Sequence, residues 1–84
     1  MKTWLITGTS TGLGRTLTEK LLAKGDRVVA TVRKADALDE LKRTFPENLW
    51  VFVLDVTDTE AIKNVISKAF NDLGQIDVVV SNAG

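Results

Sequence analysis

Thr3-Trp4-Leu5-Ile6-Thr7-Gly8-Thr9-Ser10-Thr11-Gly12-Leu13-Gly14, near the start of the chain, carries its strongest fold signal. Thr3–Thr7 is a short run of strand-forming residues. It passes without a linker into glycines at positions 8, 12 and 14, and then into a helical pattern. A pyrophosphate is anionic and crowds the backbone, so a loop that binds one needs residues without Cβ, N–H donors and a positive helix end. Gly8 suits the tight turn off the strand. Gly12 lets the backbone approach a phosphate, and Gly14 lets the helix pack closely on the sheet. Thr9, Ser10 and Thr11 add hydroxyls, and the N–H of Leu13 falls in the same loop. Its side chain, with Leu17 and Leu21, is expected on the core face of the helix. No Lys-Ser/Thr pair follows the glycines, which excludes a Walker-type phosphate loop. A glycine-rich turn without any ligand has the same local sequence, so the rest of the chain must arbitrate.

Outward from this stretch, strand-like and helical patterns alternate. Further strands are expected at Arg27–Val32, Leu49–Leu54 and Asp77–Ser81, in near-continuous apolar runs such as Val51-Phe52-Val53-Leu54 and Val78-Val79-Val80. Such runs mark strands covered on both faces, as in parallel sheets. The first helix is expected from about Gly12 to Gly25 and the second over Ala35–Phe45, closed by Pro46. The third follows Thr57 as N-cap, with Glu60 at capping-box spacing, and ends at Gly74. Its stripe is Ile62, Val65, Ile66, Ala69, Phe70 and Leu73. The order β-α-β-α-β-α-β predicts an α/β fold, a Rossmann-type doubly wound parallel sheet of four strands in the order 3-2-1-4 with three helices. A ligand belongs across the C-terminal strand ends, where the order reverses beside strand one. The fourth strand is an edge in this arrangement, with its valine run open to pairing.

Composition bounds the function. The chain has 84 residues, 44% hydrophobic and 26% charged, which is ordinary for one globular unit. Eleven basic and eleven acidic residues cancel, against a generally basic nucleic-acid binder. Cys and His are absent, so neither a disulfide framework nor a thiolate–imidazole metal site is expected. No run approaches membrane-spanning length. Met1-Lys2-Thr3-Trp4 leads straight into a strand rather than a signal-peptide core, and a cytoplasmic location is the expectation. A unit this small hides only about 60% of its unfolded surface, which leaves its own core marginal.

Four motifs in order carry a resemblance. Thr7-Gly8-Thr9-Ser10-Thr11-Gly12-Leu13-Gly14 matches the TGxxxGxG cofactor motif of the short-chain dehydrogenases/reductases. Asp55-Val56-Thr57 is similar to the family's adenine-contacting DVT segment. Gly74-Gln75-Ile76-Asp77 is in its style, and Ser81-Asn82-Ala83-Gly84 resembles its NNAG motif with Ser for the first Asn. The resemblance covers essentially the whole chain but only the N-terminal part of the family's fold. It implies that residues 1–84 are the dinucleotide-binding half of an oxidoreductase that moves hydride between nicotinamide and a carbonyl or alcohol carbon. Asp55 would meet the adenine amino group and Val56 would add backbone and apolar contact, while Asn82, which could hold the turn after the fourth strand, Ala83 and Gly84 would also belong to the cofactor site. The family's catalytic Asn, Ser, Tyr and Lys lie beyond the NNAG segment, and this chain contains no Tyr. A homo-oligomer, or a place within a longer chain, is expected.

Cofactor choice is read at the end of the second strand. A free ribose 2′-OH calls for a carboxylate there, and a 2′-phosphate calls for a cation. Val32 stands where NAD-preferring members place Asp. Arg33 follows and can grip a phosphate bidentately, and Lys34 adds a point charge. NADP(H) is therefore expected over NAD(H). Arg15, in the first turn of the phosphate-loop helix, is a weaker candidate. Trp4 and Trp50 read as packing residues. A dinucleotide-binding or interaction module without turnover stays open, because the chain offers neither Tyr nor His as an acid beside a carbonyl. So does a remnant that neither binds nor reacts.

Overall fold

The computed structural model describes residues 1–9, 12–34, 36–54 and 58–81. Its elements are β1 (Thr3–Thr7), α1 (Gly12–Lys24), β2 (Arg27–Val32), α2 (Asp39–Thr44), β3 (Leu49–Val53), α3 (Thr59–Leu73) and β4 (Val78–Ser81). The four strands form one sheet in the order β3-β2-β1-β4, every neighbouring pair parallel. That is the Rossmann-type arrangement read from the alternation of patterns. The register sets Ile6 beside Ala30 and Val80, and Ala30 beside Val51. All C-terminal strand ends therefore meet at one end of the sheet.

Residue alternation divides the apolar side chains between two faces. Ile6, Val28, Ala30, Val32 and Leu49 face Leu21 and Leu22 of α1 and Leu38 and Leu41 around α2, and all of these are buried. Among the described residues the other face buries Leu5 and Val29 against Ala69 of α3, with Val65, Ile66, Trp50, Phe52, Leu73 and Ile76 partly covered. Val79, on the edge strand β4, is 59% exposed. One face thus has two helices over it and the other has one. The apolar burial that stabilises the unit is concentrated on the first.

Several local expectations shift for physical reasons. Helix α1 buries Gly14, Thr18, Leu21 and Leu22, with Leu17 at the margin, while Leu13 is 81% exposed. Its core stripe is therefore rotated from the Leu13-Leu17-Leu21 line to one through Gly14, Thr18, Leu21 and Leu22, and Leu13 stands clear of the core. Thr18 is tolerated inside because its hydroxyl donates to Gly14 O at 2.8 Å. Helix α2 begins at Asp39 rather than Ala35. Ala37 N donates to Lys34 O in a turn, and Ala37 O accepts from Arg15 Nη1 at 3.0 Å instead of turning toward Leu41. The α3 cap is Asp58, whose carboxylate accepts from Ala61 N at 3.1 Å. This residue lies one after the expected Thr57, which is outside the described residues. A carboxylate at this position also meets the positive helix end. Phe70, expected in the α3 stripe, is 54% exposed.

The N-terminal ends of the strands are held by two carboxylates. Asp26 accepts from Lys2 N at 3.1 Å and from Trp4 Nε1 at 3.0 Å, with Lys24 Nζ 3.5 Å away. Asp77 accepts from Thr3 N at 2.8 Å and from Gln75 Nε2. These bonds leave the opposite end of the sheet to the glycine loop. The outer strand β3 is guarded at its start by Lys42, whose Nζ donates to Pro46 O at 3.1 Å and to Leu49 O.

Candidate functional site

β1 ends at Thr7, and the chain leaves the sheet through Gly8 at φ 67°. Few residues other than glycine take this conformation, so the turn off the strand is fixed by residue type. Gly12 has φ 65°, and a Cβ built on it would meet nothing within 4 Å. The space in front of the α1 N-terminus is open at that point. A helix start leaves its first N–H groups without intrahelical partners, and those of Gly12, Leu13 and Gly14 belong to that set. Gly14 is buried. This end of α1 joins a positive pole to open space, the physical requirement for a bound anion.

The loop is tied to β2 through Thr31. Gly8 N donates to Thr31 Oγ1 at 3.2 Å, and Thr9 N donates to Thr31 O at 3.2 Å. Thr9 Oγ1 donates to the same carbonyl at 3.0 Å, and Thr9 is fully buried. This corrects the expectation that the Thr9 hydroxyl adds a donor for a phosphate, since its hydrogen points into the fold. Thr31 is the residue that sequence reasoning missed. The available signal was a lone hydroxyl in the apolar run Val28-Val29-Ala30-Thr31-Val32. Arg33 and Lys34 follow within three residues of that anchor, and both are exposed. They carry no ion pair among the described residues.

Arg15 lies between the two segments. Its Nε donates to Glu19 Oε1 at 3.1 Å, Nη1 to Ala37 O at 3.0 Å, and Nη2 lies 3.5 Å from Glu40 Oε2. Ser10, Thr11, Asp55, Val56, Asn82, Ala83 and Gly84, which the sequence also assigns to the site, lie outside the described residues. The structure thus brings together Gly8, Thr9, Gly12, Leu13 and Gly14 with the segment bearing Arg33 and Lys34.

Among the described residues, Asp26 and Asp77 have displaced pKa values, and both sit at the far end of the sheet. The Lys2 N–H and then the Trp4 indole hold Asp26 below the ordinary carboxylate value against the opposing effect of burial. The Thr3 N–H and then Gln75 do the same for Asp77. Their role is to hold strands together, and neither belongs to the glycine loop.

The sequence model of the family described as short chain dehydrogenase matches residues 2–84. This chain belongs to that family. It is 42% identical over 84 residues to "Oxidoreductase BOA17" of Botryotinia fuckeliana, covering 99% of this chain and 31% of that protein. It is 35% identical over 80 residues to the "NADP-dependent 3-hydroxy acid dehydrogenase YdfG" of Escherichia coli, covering 95% of this chain and 32% of that one. Among solved structures, a short-chain dehydrogenase from Streptomyces avermitilis superposes with a TM-score of 0.95 at 43% identity, covering 99% of this chain and 31% of the other. The chain spans about a third of the length of the curated relatives it matches. Among the described residues no helix is long and apolar enough to cross a membrane.

Proposed function

We propose that residues 1–84 are the NADP(H)-binding part of a short-chain dehydrogenase/reductase. The observation that carries this reading is the end of β2. Arg33 and Lys34 stand there with no carboxylate at position 32, and Thr31 ties that strand end to the glycine loop. Gly8, Gly12, Leu13 and Gly14 would hold the pyrophosphate through backbone N–H groups and the helix pole. Thr9 would brace the loop, and Ser10 and Thr11 would complete it. Arg33 and Lys34 would take the 2′-phosphate, Asp55 and Val56 the adenine, and Asn82, Ala83 and Gly84 the turn beside the dinucleotide. The exposed side chain of Leu13 supports the reading, since a ligand over the first turn of α1 would cover it. A match to an NADP-dependent dehydrogenase supports it further.

A bound nicotinamide cofactor would supply hydride exchange with a carbonyl or alcohol carbon. This chain binds and orients the dinucleotide, and the Tyr and Lys of the family's chemistry belong to residues outside it. On its own it would be inactive. The lack of any Tyr or His in the chain favours, as a second reading, a dinucleotide-binding module without turnover. The reading includes work in the cytoplasm and assembly, as a homo-oligomer or within a longer chain. The exposed Val79 on the β4 edge supports either form of assembly.

Calorimetric titration with NADP+ and NAD+ tests the cofactor assignment. A good charge-assisted phosphate contact is worth about 1.5–3 kcal/mol, or roughly ten- to a hundredfold in affinity. NADP+ is expected to bind tighter by about that factor, and Arg33→Ala to remove the difference. Equal affinities in the unmutated protein would sink the assignment.

A further inference from the structure

We propose that Arg15 is a positioning residue for cofactor choice: its guanidinium straps the turn that follows Arg33 and Lys34 onto α1 and never touches the cofactor itself. The inference rests on the proposal that Arg33 and Lys34 receive a 2′-phosphate. Its basis is an unbroken chain of hydrogen bonds. Arg15 Nη1 donates to Ala37 O at 3.0 Å, and Ala37 N donates to Lys34 O at 3.2 Å. Lys34 is thereby linked, through one turn of backbone, to the first turn of the phosphate-loop helix. On its other side the same strand end is linked to the loop by the bonds from Gly8 and Thr9 to Thr31. The basic pair is held between two ties, both of which lead back to the glycine loop.

The same contacts occupy the Arg15 guanidinium with partners of its own chain. Glu19 and Glu40 lie 3.1 and 3.5 Å from its guanidinium, so one cation between two carboxylates presents no net positive charge to an anion. The Glu40 side chain is 83% exposed, and exposed pairs of this kind hold little by themselves. The bond to the Ala37 carbonyl is the one that fixes geometry. Arg suits this task because its planar fork addresses a carbonyl and two carboxylates at once, which a single ammonium does not.

Two measurements on Arg15→Ala and Arg15→Lys test the strap. The first is amide hydrogen exchange in the cofactor-free protein. Exchange at Ala37 should quicken by about tenfold in both variants, the loss expected for a charge-assisted bond. The Leu54 amide, bonded to Val32 O at 2.9 Å, should be unaffected. The second is binding, where both variants should lose roughly three- to tenfold in NADP+ affinity and keep their NAD+ affinity. Unchanged exchange at Ala37 in Arg15→Ala would overturn the strap. Full NADP+ affinity in Arg15→Lys despite fast exchange would show that charge acts, and would overturn the positioning role. Equal NADP+ and NAD+ affinities in the unmutated protein would instead remove the reading of Arg33 and Lys34, and the role of Arg15 in cofactor choice with it. The exchange result would still report whether Arg15 holds the turn.

Discussion

Gly12 and Gly25 bracket α1, with φ of 65° and 101°, and each has open space where a Cβ would stand. A side chain at either meets no wall but forces an L-residue into a conformation it avoids, at roughly 1 kcal/mol. Gly12→Ala and Gly25→Ala should therefore lower stability in urea denaturation by similar amounts. Only Gly12→Ala should also weaken NADP+ binding, because only position 12 faces the proposed pyrophosphate. Equal effects on binding would remove Gly12 from the site. The glycine spacing is legible in the sequence because it reflects backbone conformation, which each residue sets locally. The roles of Leu13 and Thr9 were not legible. Leu13 shares a four-residue spacing with Leu17 and Leu21, but the buried stripe of α1 runs through Gly14, Thr18, Leu21 and Leu22 and leaves it exposed. Thr9 looks like a donor for a ligand until Thr31, twenty-two residues away, is seen to accept its hydrogen.

The strands were legible almost to the residue, since unbroken apolar runs between glycines and helices permit little else. β3 ends one residue before Leu54, whose N–H nevertheless continues the ladder to Val32 O at 2.9 Å. α2 was less legible because the turn before it makes a long-range contact, Ala37 O accepting from Arg15 Nη1 on another helix. The elements are also joined at their N-terminal ends by Asp26 and Asp77, and this gives the fold a pH dependence. Donated N–H groups lower both carboxyls below their ordinary value of 3.8 in the folded state. Above the unfolded-state pKa both are ionised in either state, and their stabilisation is fully present. As pH falls, the unfolded chain binds protons first, and the stabilisation is lost down through the folded-state pKa. The melting temperature should thus hold between pH 7 and about 5 and fall below about pH 4. The Asp26→Asn, Asp77→Asn double variant should melt lower at neutral pH and show a shallower acid fall. An acid profile unchanged in that variant would show that other carboxylates govern it.

Across the whole molecule, the parallel order β3-β2-β1-β4 gives the sheet two unlike ends. One is closed by Asp26, Asp77 and Trp4, and the other carries the glycine loop, the α1 N-terminus and the Arg33–Lys34 pair. This polarity follows from connectivity, since strands that all run one way deliver every βα turn to the same end. It was legible from the alternation of patterns alone. The unequal covering of the faces was legible too, from two helices preceding the third strand and one following it. The dinucleotide is proposed to bind at the glycine end. Titrating NADP+ into 15N-labelled protein and following amide and indole signals tests it most directly. Gly8, Gly12, Gly14 and Arg33 are expected to shift together, while the Trp4 indole and the amides of Lys2 and Thr3 stay in place. Shifts centred on Trp4, Lys2 and Thr3, or a spectrum unmoved by NADP+, would contradict it.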